Sequence, residues 1–422
     1  MSLTLGAQNP DSESASGFDM DSADGSGSES AEVAAPQKHP AAALGLTLSV
    51  NAVMNVFDRI FLDDPCYKSD WTHIKHNFAS DWVWDNDSFL LNQIGHPCQG
   101  AMYFNAVRAN GYGYWASGLG TVLGSVTWEY FCETDPPSMN DLLSTTAGGM
   151  AIGEVSWRLY RLIRGDKVPV KIAAGLGAQV LADPSTDWAS ASAGVAAWMD
   201  LEYGSPFKGG NEPYDWFRLA LKAGSISAPQ QMSIVGRLYG KNWQTERGNE
   251  VMVGLFQHFN YFDVGGLEVS ETHSFGPGIV AQVHDRTRLE AHLGGIVMGG
   301  VVSDHYKVLL RDYNMGSGYS LTGRVSHEWK AASASLDARH FQVFTPREYD
   351  HSYDGDPLLL DAQGAKSSAV VDMLQMSLDV RCSDHISLRF EPAYYARHTH
   401  YTYHDDVTRR LVELTAGVEV CF

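Results

Sequence analysis

Positive charge is scarce in this chain: 30 Lys and Arg face 50 Asp and Glu, a formal charge of −20. Without a basic face it cannot neutralise a phosphate backbone, so a nucleic-acid binder is excluded. Charged residues of both signs together make 19%, below the roughly 25% of an ordinary soluble domain. The cysteines are few and scattered (Cys66, Cys98, Cys132, Cys382, Cys421). They form no C-x-x-C and no zinc-like pairing, so they read as small buried hydrophobes and not as a disulfide framework or a metal site. There is no Gly-rich phosphate loop, no G-x-S-x-G elbow and no H-E-x-x-H pair. No cofactor is therefore expected.

What the chain has in quantity is glycine, 41 residues, and aromatics, 11%. From Val168 onward its apolar residues recur with period two, the repeat of a strand with two different faces. Val412, Leu414, Ala416, Val418, Val420 and Phe422 alternate with Glu413, Thr415, Gly417 and Glu419. Ile386, Leu388, Phe390, Pro392 and Tyr394 alternate with Ser387, Arg389 and Glu391. The same split separates Tyr319, Leu321, Val325 and Trp329 from Arg324 and Glu328, and Leu289, Ala291 and Leu293 from Arg288, Glu290 and His292. Val168, Val170, Ile172, Ala174, Leu176 and Val180 form another apolar set. Leu46, Leu48, Val50, Ala52, Met54 and Val56 suggest a first strand over residues 43–57.

A half-buried soluble sheet alternates too. The strands expected here are longer than the ~5–6 residues usual in globular sheets and match a tilted bilayer span. Short connections near Ala331, Gly299 and Cys382 to Asp384 interleave with long ones at Thr345 to Ser368 and Thr399 to Arg409, as turns and loops do in outer-membrane barrels. Phe422 resembles the C-terminal signature of such barrels, through which barrel-assembly machinery is expected to act. The fold class that follows is mainly β: a transmembrane antiparallel β-barrel of about 12–14 strands over residues 167–422, with an α-helical insert over 58–166.

Residues 1–42 read as a disordered acidic leader, too poor in bulky residues to order itself. Met1 to Gln8 is apolar but lacks a basic start, so the protein is expected to be exported with its signal peptide truncated or absent here. The insert predicts about three helices, from Pro97 to Asn110, from Tyr114 to Phe131, and from Ser138 to Gly165. Gly111 and Gly113 break the first from the second, and Ser138 is the N-cap of the third with Asp141 at N3. Residues 109–128 carry no charge, long enough to span a bilayer. Their Gly, Ser, Thr and Asn content argues instead for close helix packing, as do Gly118, Gly120, Gly124, Ala147, Gly148, Gly149 and Gly153. A helical plug or cap of the barrel is what this suggests, with its place inside or outside the lumen left open.

Several motifs stand in order here: Trp84-Asp85-Asn86-Asp87, Asn92-Gln93-Ile94-Gly95-His96-Pro97, Gly100, Tyr103-Phe104-Asn105-Ala106, Arg108, Asn110-Gly111-Tyr112, Trp128-Glu129-Tyr130, Glu133, Pro136-Pro137-Ser138, Asn140-Asp141, Gly148-Gly149 and Gly153-Glu154. Residues 55–165 resemble a bacterial family catalogued only as a domain of unknown function, number 3943 in that series, departing from its pattern mainly at Cys98 and Cys132. The resemblance implies a bacterial envelope protein and supplies no activity.

Folding the three helices back on one another levels His96, Glu129 and Asp141, with Ser138, Asn140 and Glu133 nearby, and sets Arg108 beside Glu154. The first layer offers acid/base chemistry, with Ser138 as a nucleophile toward an envelope lipid ester. Alternatively its members cap helix ends, or His96, Glu129 and Asp141 bind a metal. Arg108 and Glu154 read as a buried ion pair. His398, His400 and His404 with Asp405 and Asp406 offer an opportunistic metal site in a loop, and Asp350, Asp354 and Asp356 resemble a calcium loop in composition alone. The function expected is non-enzymatic passage or binding of a small molecule or lipid in the bacterial outer membrane, its partners membrane lipid and an unknown ligand. The alternative is a lipid hydrolase using His96, Ser138, Glu129 and Asp141.

Overall fold

The computed structural model describes residues 37–62, 65–84, 88–184, 191–305, 313–349 and 364–422. Twelve antiparallel strands close into one barrel, each paired with its sequence neighbours and the first with the last. They are β1 (Val170–Ala182), β2 (Ser192–Tyr203), β3 (Phe217–Gly224), β4 (Gln231–Gln244), β5 (Glu250–Val264), β6 (Leu267–Val283), β7 (Thr287–Val302), β8 (Tyr313–Glu328), β9 (Ala332–Thr345), β10 (Ser367–Arg381), β11 (Ile386–Tyr401) and β12 (Val407–Cys421). Closure satisfies every edge, which a bilayer demands because it offers no water to unpaired backbone groups.

The expected alternation is a division between lipid and lumen. In β12, Leu414, Val418 and Val420 point outward and are exposed, whereas Glu413, Thr415 and Glu419 are buried inside. Leu374, Met376, Leu378, Leu388, Phe390, Leu321 and Val325 extend the outward apolar belt around β8 to β11. The connections near Ala331 and Cys382 to Asp384 are tight turns, as expected. Gly299 is not a turn: it lies within β7, where the pairing with β8 shifts register between Ile296 and Gly299. A glycine-marked bulge interrupts the strand's pattern in the way a turn would. The final loop is shorter than expected, residues 402–406, because His398 to Tyr401 remain paired in β11.

The insert is richer in helices than expected: α1 (Pro40–Phe61), α2 (Trp71–Ala79), α3 (His96–Arg108), α4 (Tyr114–Phe131), α5 (Met139–Leu143) and α6 (Gly149–Ile163). Residues 43–57 are therefore not a strand but the middle of α1. The deciding period is that of the polar residues: Thr47, Asn51 and Asp58 are buried, while Leu46, Leu48, Val53, Val56, Phe57, Ile60 and Phe61 are exposed. This is an amphipathic helix turned inside out, with its polar stripe against the bundle, where Asn51 donates to the Gly124 carbonyl at 3.0 Å. Its 22 residues are long and apolar enough to cross a bilayer. Residues 1–36, most of the expected leader, lie outside the described residues.

The helices do not occupy the lumen; they cover the outer wall. Leu201 of β2, Leu219 of β3, Ile234 of β4 and Phe259 of β5 are register partners at outward positions, and all are buried with Phe104, Met150 and Val155 of the helices. The contact crosses the wall diagonally. At the tight-turn end Arg158 donates to the Pro213 carbonyl at 2.8 Å, and at the loop end Phe89 packs on Tyr261 and Tyr313. Among the described residues the lumen holds only the barrel's own side chains, packed as an apolar layer toward the loop end. Facing the other way, Leu119, Leu123, Trp115, Tyr160 and Ile163 are exposed, an apolar surface on the bundle's outer side. Residues 109–128 are thus neither an isolated span nor a lumenal helix; one side of α4 is packed, the other is exposed.

Within the bundle small residues set the spacing. α3 and α4 run antiparallel, with Gly120 against Val107 and Gly124 against Tyr103, while α3 and α6 run parallel. A Cβ on Gly100 would lie 1.9 Å from the Thr145 carbonyl oxygen. Gly111, at φ +86°, turns the chain between α3 and α4 in a conformation that favours glycine.

Candidate functional site

Two π-helical turns face each other at the seam between bundle and barrel, Leu91–Gly95 leading into α3 and Ser144–Gly148 leading into α6. Such turns present side chains that a regular helix would hide. The Ser144 hydroxyl donates to the Asn92 carbonyl at 2.8 Å. Gln93 reaches the wall, its Oε1 accepting from Ser270 Oγ and Thr272 Oγ1, each at 2.9 Å. Farther along, Gln257 Oε1 accepts from the hydroxyls of Tyr114 at 2.5 Å and Tyr214 at 2.9 Å, while its Nε2 donates to the Ala147 carbonyl at 2.8 Å. These are outward positions of β5 and β6, so the polar contacts lie on the outer face of the wall and not in the lumen.

Behind them Asp141 gathers the expected layer. Its Oδ1 lies 3.2 Å from His96 Nε2 and accepts from Asn92 and Asn140 at 3.3 and 3.1 Å. Glu129 Oε2 accepts the Ser138 backbone N–H at 2.8 Å, and Glu133 accepts from the Trp128 indole at 2.5 Å. Folding thus brings His96, Asp141, Glu129, Ser138, Asn140 and Glu133 into one cluster, and all but Glu133 are buried.

The hydrogen bonds of Ser138 are those of a helix N-cap. Ser138 Oγ accepts the Asp141 N–H at 3.2 Å, as an N-cap does, and donates to Asn140 Oδ1 at 3.0 Å. Its side chain is buried, with 1% of its surface exposed. Among the described residues no set of three or more His, Cys, Asp or Glu side chains is disposed to hold a metal ion. Arg108 and Glu154 form the expected ion pair, bidentate at 2.8 and 3.0 Å, but with a third member: Arg158 Nε also reaches Glu154, at 2.8 Å.

The lumen supplies a second site that the sequence reading did not single out. Its loop-end half is closed by an apolar layer of Leu181, Phe262, Val269, Ile296, Phe341, Val371, Tyr395 and Leu411, all inward. Beneath it Glu413 accepts from Gln179 at 2.8 Å, Gln230 at 2.9 Å, Tyr395 at 2.8 Å and from Lys222, which also reaches Glu391 at 2.9 Å. Below this lattice a vestibule of about 480 Å³ lies between the charged strand faces. Arg389 spans Asp200, Asp379 and Glu419 at 2.6, 2.8 and 2.9 Å, and Arg218–Glu290, Arg288–Glu202 and Arg324–Asp337 pairs complete the lining. The signal was present in the sequence, as the polar members of the alternation.

At the loop end the histidines separate. His400 lies 2.9 Å from Asp406, His398 bonds Thr408, and His404 faces Glu348 at 3.3 Å. The His400 hydrogen bond, followed by the Tyr401 backbone N–H, holds the Asp406 carboxyl below its ordinary range. Burial alone would raise Asp304, but Arg397, bonding it twice at 2.7 Å, and Tyr401 hold it below that range too. Asp350, Asp354 and Asp356 lie outside the described residues. The cysteines are not uniformly buried; Cys132 is, whereas Cys98 and Cys382 are exposed.

Residues 81–185 match the model of the family described as a domain of unknown function, DUF3943. That segment runs from the loop before the first π-turn to just past β1 and contains both π-turns and the cluster around Asp141. No curated protein matches the chain. Among solved structures, the NanC porin is similar at 10% identity over 58% of this chain and 98% of that one, with a TM-score of 0.29. An anion-selective porin from Comamonas acidovorans is similar at 9% over 61% and 99%, with a TM-score of 0.25. The outer membrane channel DcaP of Acinetobacter baumannii is similar at 8% over 61% and 97%, with a TM-score of 0.24.

Proposed function

We propose that the protein is a non-enzymatic outer-membrane barrel that binds a small polar solute in its vestibule and passes it only when the apolar layer yields. The observation that carries this reading is the blind end of the vestibule: a charge-lined cavity open toward the tight turns stops beneath the apolar layer. An even number of antiparallel strands and a continuous outward apolar belt support the outer-membrane placement. Carboxylates and guanidiniums alternating around the cavity favour a solute that bears both charges, or neutral polar groups, over a simple anion or cation.

Conductance across a planar bilayer tests it. Wild-type protein is expected to show no steady open channel, and Phe262→Ser with Phe341→Ser, which removes two rings 6.2 Å apart in the apolar layer, is expected to open one. Steady conductance from the wild type would show a permanent pore. A double variant that stays closed would show that the layer is not the barrier.

A further inference from the structure

A crevice of about 230 Å³ opens on the outer surface where the insert meets the wall, lined by Trp84, Val297, Met298, Met315, Pro346 and Arg347. Val297 and Met315 occupy outward positions at the loop ends of β7 and β8, near the level of Tyr319 and Tyr394, half-exposed at the upper margin of the belt. Tyrosines at such a margin mark the headgroup level of a bilayer. Apart from Ser317, the crevice is apolar except for Arg347, whose guanidinium stands 4.9 Å from the centre of the Trp84 ring. No carboxylate among the described residues forms an ion pair with it.

We propose that this crevice holds the upper part of one acyl chain of a membrane lipid whose phosphate headgroup pairs with Arg347. The volume is below the roughly 300 Å³ at which pockets for whole drug-sized ligands begin, so it fits a segment of chain and not a compact solute. The floor of thioether and aliphatic side chains fits a chain of methylenes, which adaptable methionines accommodate well. A guanidinium matches phosphate oxygens in a fork, and its position above the apolar floor reproduces the order of a lipid from headgroup to chain. Snorkelling alone would also bring an arginine to this depth, but it creates no preference between lipids and needs no cavity. The lipid site stands apart from the vestibule, which lies inside the wall.

The test is lipid retention by the full-length protein, extracted in mild detergent, exchanged with an equimolar mixture of phosphatidylglycerol and phosphatidylcholine, and weighed by native mass spectrometry. The wild type is expected to keep a single lipid and to favour phosphatidylglycerol about fivefold, the effect of one arginine near a bilayer surface. Arg347→Gln should abolish that preference while lipid is still retained. Val297→Trp should lose both lipids, because it fills the mouth of the crevice from a position that is 54% exposed and tolerant of a larger side chain. Both variants should keep the heat-dependent gel shift of a closed barrel, which separates loss of lipid from loss of fold. Equal retention of the two lipids by the wild type, absence of any retained lipid, or variants indistinguishable from it would overturn the proposal.

Discussion

At the scale of single residues, the buried charges of this protein are held by more than one partner, and that makes their removal asymmetric. Glu154 is fully buried between Arg108 and Arg158. Glu154→Ala leaves two guanidiniums without their carboxylate and should cost about 3–5 kcal/mol. Arg108→Ala leaves Glu154 still paired with Arg158 and should cost about 1–2 kcal/mol. Urea titration followed by helical circular dichroism measures both, and equal losses would contradict the shared-carboxylate arrangement. Asp304 gives a pH dependence. Its folded carboxyl is held below the ordinary range by Arg397 and Tyr401 against the opposing effect of burial, so its contribution is complete above the unfolded value of roughly 3.9 and is lost as pH falls through the folded one. Protease protection of residues 303–305 is expected to persist at neutral pH and to fade in acid, and Asp304→Asn should remove that protection at every pH.

The elements show where patterns of residues were readable and where they were not. Alternation in β1, β7, β8, β11 and β12 was plain in the sequence, because lipid on one side and a charged lumen on the other impose opposite demands on successive residues. Helix α4 was readable to its ends and the Ser138 cap to its hydrogen bond, since both are set by local chemistry. α1 was misread because its apolar residues happen to fall on even positions; the four-residue spacing of Thr47 and Asn51 carried the better signal. The two π-turns left no pattern, because each arises from the contact between segments far apart in sequence. That contact yields a prediction: Gly100→Ala drives a methyl into the Thr145 carbonyl oxygen and the Gly149 backbone, a clash with no flexible partner to give way. It should destabilise the bundle by about 2–3 kcal/mol and expose α3 and α6 to limited proteolysis while the barrel keeps its heat-dependent gel shift. A bundle as resistant as the wild type would count against the parallel packing of these two helices.

At the scale of the whole molecule, the position of the bundle was the feature least accessible to the sequence. Leu201, Leu219, Ile234 and Phe259 are the residues that a lipid-facing wall would carry, so their burial under helices changes nothing in the pattern. The exceptions hold the information: Gln257, Ser270 and Thr272 are polar at outward positions, where lipid would leave them unsatisfied, and each is bonded by a helix or π-turn of the insert. The same logic orders the lumen, with an apolar layer at one end and paired charges at the other. The central claim is that the insert is a membrane-embedded flank of the barrel. A spin label on Leu119→Cys, at a position 72% exposed on α4, in a chain whose five native cysteines are replaced by serine, tests it most directly in reconstituted vesicles. The account predicts strong relaxation by membrane-dissolved oxygen and weak relaxation by a water-soluble nickel chelate. Strong relaxation by the chelate instead would place the helices in water and contradict the account.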